Sequence, residues 1–179
     1  MTPEETRPPR QEFERKFLVI VPKLPKDLPP PKKIVQGYLH FESPYPRIRI
    51  IDDVLAVLEI KARNHFESKA MPMDLAEARY LLARERKGAL IEKHRCDLPS
   101  AFRGMKWEID RFLGQNAPLV VAEIETPTKD APLDPAKFPE YIGRDVTDDA
   151  RFKNRNLAER PFQSWDESER NSILKEMGL

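Results

Sequence analysis

Charged and apolar residues alternate along much of this chain with a period of two. Glu12, Glu14 and Lys16 alternate around Phe13 and run into Phe17. Arg47 and Arg49 flank Ile48, Glu59 and Lys61 flank Ile60, and Lys93 and Arg95 flank His94. Glu108 and Asp110 flank Ile109, and Glu123 and Glu125 flank Ile124. Successive side chains of a strand point to opposite faces, so each set puts its charges on one face and mostly apolar groups on the other. The pattern predicts strands at Gln11–Val21, Ile34–Phe41, Tyr45–Ile51, Val54–Lys61, about His65–Met71, Ala89–Leu98, Met105–Phe112 and Leu119–Thr126. Eight short strands with turn residues between them favour a sheet that closes or nearly closes.

Helical periodicity is rarer. Asp74 and Glu77 make a capped start to Leu75–Glu85, where Leu75, Ala78 and Leu82 share a face. Asp166 and Glu169 open a second helix that runs to about Met177. Pro135–Ile142 and Ala150–Leu157 read as short helical turns. The polar, Pro-rich residues 1–10 read as a disordered tail, and residues 11–179 as a single α+β domain. The expected architecture is an eight-stranded antiparallel closed β-tunnel with a few helices packed outside.

Composition narrows the function. With 31 Lys and Arg against 30 Asp and Glu, the net charge is +1, which argues against general binding to nucleic acid polymers or anionic membranes. The single cysteine, Cys96, forms no intrachain disulfide and builds no cysteine-based zinc site. No apolar run approaches the roughly 20 residues that span a bilayer, and the N-terminus carries no apolar signal core. A reducing, cytoplasmic location is the simplest expectation. Six glycines beside 18 prolines point to stiff loops and away from Gly-rich phosphate cradles.

The charges are therefore informative by their sorting. A merely solvated face usually mixes Thr, Ser, Gln and Lys. Here three strands carry paired carboxylates and two carry paired Lys or Arg. Like charges directly opposed across strands destabilise a sheet unless something offsets them. Clustered carboxylates suit hard divalent cations, and clustered Arg and Lys suit phosphate oxygens. One cavity holding both is a site for a metal–polyphosphate complex.

Glu12-Phe13-Glu14-Arg15-Lys16 is an E-x-E-x-K run on the first strand. With Gln36-Gly37-Tyr38-Leu39, Arg47-Ile48-Arg49, Ile60-Lys61, Ile91-Glu92-Lys93-His94-Arg95, Trp107-Glu108-Ile109-Asp110, Glu123-Ile124-Glu125 and Gly143-Arg144-Asp145, it resembles the CYTH superfamily, the triphosphate tunnel metalloenzymes. That superfamily includes class IV adenylate cyclases and thiamine and inorganic triphosphatases. The resemblance spans about residues 11 to 161 and implies metal-dependent triphosphate hydrolysis, with inorganic triphosphate as the first choice of substrate. It implies Mg²⁺ or Mn²⁺ on Glu12, Glu14, Asp110, Glu123 and Glu125, with Glu108 assisting on the same face as Asp110. Lys16, Arg47, Arg49, Lys61, Lys93 and Arg95 would hold the phosphates, with Lys153 and Asn154 near the tunnel mouth. Glu12, Glu14 and Lys16 would carry catalysis.

One stretch departs from the family pattern. After Lys61 the loop is short: counting back from Pro72 puts Asn64, Phe66 and Ser68 in the charged slots of the usual R-x-E-x-E run, and anchoring on Phe66-Glu67 instead keeps one carboxylate. Glu59 also puts a carboxylate where the family often has a small polar residue. Two alternatives stay open at this point: a class IV-type cyclase, and a degenerate tunnel that binds polyphosphate or nucleotide without turnover.

Overall fold

The computed structural model describes residues 13–61 and 70–179, with Lys61 described in its backbone alone. The alternating segments pair as one antiparallel sheet. Among the described residues it has nine strands: β1 (Phe13–Val19), β2 (Lys32–Tyr38), β3 (Tyr45–Ile51), β4 (Leu55–Lys61), β5 (Ala70–Met73), β6 (Lys87–Pro99), β7 (Lys106–Phe112), β8 (Val120–Thr126) and β9 (Ile142–Asp145). Their order is β5-β4-β3-β2-β6-β7-β8-β1-β9. The helices are α1 (Leu75–Arg84), α2 (Asn154–Glu159) and α3 (Glu167–Met177), with short 3₁₀ turns between elements.

This corrects the expectation of an eight-stranded closed tunnel. The sheet has two edges, β5 and β9, and they do not pair with each other. β5 contains Pro72, which has no N–H for a ladder and belongs at an edge. β9 was not among the expected strands; it begins at Ile142, the last residue of the expected Pro135–Ile142 helical turn. The turn is confined to Pro135–Lys137, and from Ile142 the chain runs along β1 in an irregular register. The fifth strand begins at Ala70, whereas His65 to Lys69 of its expected span lie outside the described residues. So does the expected tail.

The open sheet is curled. β1 and β3 stand five places apart in the order, about 24 Å across a flat sheet at the usual spacing. Glu14 on β1 nevertheless attracts the Arg47 guanidinium on β3. Curling produces a trough whose concave face carries the charged phase of the strands and whose convex face carries the apolar phase.

The convex face holds most of the core. Phe17, Trp107 and Phe138 meet edge to face at 5.3 to 5.6 Å, a preferred aromatic geometry. α1 covers β3 with Ala78 and Leu82 on Ile48 and Ile50, and the Asp74 carboxylate caps it by accepting from Glu77 N–H at 2.9 Å. α3 carries a capping box between Asp166 and Glu169 and ends on Gly178 at φ 76°. α2 packs on the start of β6, where a Cβ on Gly88 would come 2.3 Å from the Ala158 carbonyl oxygen. Between β3 and β4, Asp52 and Asp53 both take positive φ, the tight hairpin turn that short polar side chains tolerate. Among the described residues no helix is long and apolar enough to cross a membrane.

Candidate active site

The concave residues follow from register. On β1, Glu14, Lys16 and Leu18 share one phase. Across the ladder Glu14 faces Glu125, Lys16 faces Glu123, and Glu123 in turn faces Glu108. Arg95 faces Asp110 and Lys93 faces Phe112. On the other side of the trough Arg47 faces Tyr38 and Glu59, and Arg49 faces Gln36. Moving one residue along any of these strands reverses the face, so the alternation in the sequence builds the site directly.

Lys16, Lys93 and Arg95 form one network with four carboxylates on the β6-β7-β8-β1 side, and Lys106 joins it at 2.8 Å from Glu108. Arg95 donates to both oxygens of Asp110 at 2.6 to 2.7 Å, to Glu123 at 2.6 Å and to Glu108. Lys16 pairs with Glu123 and, at 3.3 Å, with Glu14. Lys93 pairs with Asp110, and neither side chain is exposed to solvent. The β2-β3-β4 side is sparser. Arg47 donates to Glu59 from Nε at 2.9 Å, with Nη2 at 2.7 Å from the same oxygen. Arg49 donates to Gln36 at 3.1 Å, and Gln36 donates to the Tyr38 hydroxyl at 3.2 Å.

Burial and neighbours pull the ionisations in opposite directions. Burial alone would lower Lys16, but Glu123 and Glu14 more than offset it and hold the ammonium above its ordinary value. Arg95 behaves likewise, with Asp110 the main counterweight to burial. Lys93 is lowered by burial, which Asp110 and Glu123 offset only in part. Arg49 is lowered by burial and then by Arg47. Burial would raise Glu123, yet Lys16, Lys93 and Arg95 hold it well below the usual carboxylate range.

The trough has a packed end and an open end. Leu18, Tyr38, Ile91, Phe112 and Val121 continue the concave phase and are all buried, so the inner end is filled. Lys93 lies at that boundary, 5.7 Å from the Phe112 ring centre. At the other end Glu14 and Glu125 are exposed. A surface cavity of about 750 Å³ lies elsewhere: Arg15, Phe102, Leu133 and Asp145 are among its walls, and none of the concave charges lines it.

Of the residues singled out from sequence, the structure brings Glu14, Lys16, Arg47, Arg49, Lys93, Arg95, Glu108, Asp110, Glu123 and Glu125 onto one face. Glu12 and the Lys61 side chain lie outside the described residues. Lys153 is exposed at the start of α2, and Asn154 keeps a buried Oδ1 with no hydrogen-bond partner. Among the described residues neither is joined to the charged network by an ion pair or hydrogen bond. Gln36, Tyr38 and Glu59 were not singled out as site residues. Gln36 and Tyr38 share the i, i+2 phase, but being neutral they do not register in a reading of charges.

Among the described residues, no three acidic, His or Cys side chains are grouped as a ready-made metal ligand set. The carboxylates lean instead on Arg95, Lys16 and Lys93. Their chemistry still fits a hard divalent cation. All are oxygen donors, and Glu14 opposite Glu125 and Glu108 opposite Glu123 are like-charge pairs that a cation relieves.

A one-sided charged β-trough with facing carboxylates and an arginine wall defines a class of polyphosphate-handling sites, and the comparisons agree. The inorganic triphosphatase of Acetivibrio thermocellus is 34% identical over 161 residues, covering 88% of this chain and 99% of that protein. The crystal structure of the inorganic triphosphatase NE1496 superposes with a TM-score of 0.61 at 28% identity, covering 83% of this chain and 94% of that one. A second structure of NE1496 gives the same TM-score and identity and covers 97% of its own chain. No family model matches. The chain belongs to the triphosphate tunnel metalloenzymes of the CYTH superfamily, which are metal-dependent enzymes.

Proposed function

We propose that this protein is an inorganic triphosphatase that splits a linear triphosphate held in the trough as its Mg²⁺ or Mn²⁺ complex. The observation that carries the reading is the pairing of the carboxylate network with an arginine wall on one concave face. The inner end is packed by Leu18, Tyr38, Ile91 and Phe112, so a substrate enters and extends through the open end alone.

In the ligand-free trough the cations are paired internally. Substrate binding exchanges partners. Lys16, Lys93 and Arg95 turn toward phosphate oxygens, with Arg47 and Arg49 receiving the rest of the chain from the facing wall. The carboxylates freed by that exchange, Glu14, Glu108, Asp110, Glu123 and Glu125, are with Glu12 the groups that would hold the cation. When bound, Mg²⁺ or Mn²⁺ screens phosphate charge and makes a water more acidic. Water oxygen then bonds to the terminal phosphorus while the bridging P–O bond breaks, giving orthophosphate and pyrophosphate. Glu14, at the open end, accepts the water proton. Lys16 stabilises charge on the phosphoryl oxygens as the bond breaks, and most of the acceleration comes from such positioning and electrostatics.

The test is a panel of phosphate-release assays with inorganic triphosphate, thiamine triphosphate and ATP, each with Mg²⁺ and with Mn²⁺. Inorganic triphosphate should be turned over fastest with either metal. Faster release from ATP, or tight binding of all three without release, would overturn the assignment.

A further inference from the structure

We propose that Glu59 is a positioning residue: it fixes Arg47 and screens the arginine wall, so that this wall accepts triphosphate as its cation complex in preference to the bare anion. The inference rests on the triphosphatase reading above.

Glu59 stands directly across from Arg47 in the β3–β4 ladder. It is 7% exposed and Arg47 8%. One carboxylate oxygen takes both Nε and Nη2 of Arg47, at 2.9 and 2.7 Å, and lies 3.9 Å from Arg49 Nε. Holding two nitrogens of one guanidinium fixes its plane as well as its place. Tyr38 stands across from Arg47 on β2, so the side chain is bracketed from two strands.

The placement separates Glu59 from the other acidic residues. Among the described residues of β2, β3 and β4 it is the one carboxylate in the concave phase, while the other described concave carboxylates belong to β1, β6, β7 and β8. It therefore lies with the phosphate-binding arginines and apart from the groups that would hold the cation. There its charge cancels about half of the wall's two positive charges. A bare triphosphate is repelled by a fixed negative charge at this position more than a cation complex is, because the complex carries less negative charge.

The experiment uses Glu59→Gln, which keeps the shape and removes the charge. Tripolyphosphate binding is measured by calorimetry in excess chelator, and kcat and KM are measured with Mg²⁺. Glu59→Gln should bind metal-free tripolyphosphate about tenfold more tightly, since a repulsive charge is gone. Its kcat with Mg²⁺ should fall about tenfold as Arg47 loses its orientation. Glu59→Asp, which keeps the charge but shortens the reach, should retain the weak metal-free binding and still lose kcat. Metal-free affinity and kcat both within twofold of wild type in Glu59→Gln would overturn the proposal. So would a lowered melting temperature as the sole change. If the wild-type protein binds tripolyphosphate without splitting it, the triphosphatase reading fails, and the shift in metal-free affinity still decides the role of Glu59.

Discussion

Lys16 and Phe17 are neighbours on β1, yet they belong to two regions that do opposite things. Phe17 points to the convex face, where it meets Trp107 and Phe138 edge to face. Lys16 points to the concave face, into a net of carboxylates. The convex face removes apolar surface from water, worth about 25 cal/mol per Å², and so holds the curled sheet together. The concave face spends part of that stability. Buried ion pairs seldom repay the desolvation of their charges and are often no better than apolar replacements. A dense, mixed-charge interior is therefore a poor device for stability and a good one for binding charged ligands that exchange partners with it. Phase along a strand divides the two tasks: one residue in two folds the protein and the next performs the chemistry.

The sharpest break in this division is on the convex side. Trp107→Ala removes a fully buried ring from the aromatic triad and should cost about 4 kcal/mol of stability. Denaturant unfolding reads the loss. Turnover per folded molecule should stay close to wild type, and a large loss of specific activity would mean that the faces are not separable.

The converse change is Lys16→Ala on the concave side. It should lower kcat/KM for triphosphate by about 100-fold, the usual effect of removing one charge-stabilising donor, through lost transition-state stabilisation as well as weaker substrate binding. Mn²⁺ affinity should be unchanged or slightly higher, because a cation leaves an acidic wall. Glu14→Ala, two residues away, should weaken Mn²⁺ binding by about tenfold and be partly rescued by excess metal. Titrations of each variant with Mn²⁺ and with a non-hydrolysable triphosphate separate the roles. Loss of metal affinity in Lys16→Ala with none in Glu14→Ala would reverse them.

The smallest effect is a pH dependence. Burial would raise Glu123, but Lys16, Lys93 and Arg95 hold it below its ordinary value of 4.5. A carboxylate depressed in the folded state contributes stability that is fully present above its unfolded value and is lost as the pH falls through the folded one. The slope is at most about 1.4 kcal/mol per pH unit for one proton. Glu123→Gln should flatten the acid limb of a stability–pH curve below pH 4.5, measured by denaturant midpoints. An unchanged limb would show that Glu123 is not the group titrating there.

Much of the site was legible because a period of two assigns faces without any knowledge of the fold. Lys93 with Arg95 and Glu123 with Glu125 could be placed on one face from spacing alone. Register across strands was not legible, so nothing in the sequence told that Arg95 would engage Glu108, Asp110 and Glu123 together. Glu59 was visible as a charge, but its partner Arg47 follows from the β3–β4 hairpin register set by Asp52 and Asp53. The closed tunnel was the expectation that failed. Closure depends on the edges, and Pro72 in β5 and the four-residue β9 are short-range features that an alternation count passes over.

The central claim is that the concave carboxylates and cations act together on a metal-complexed triphosphate. Orthophosphate release from inorganic triphosphate, followed first in chelator and then with Mg²⁺ or Mn²⁺ restored, tests it most directly. Release should cease in chelator and recover with either metal in the wild-type protein, and should stay low under both conditions in Lys16→Ala. Release that continues undiminished in chelator would contradict the account.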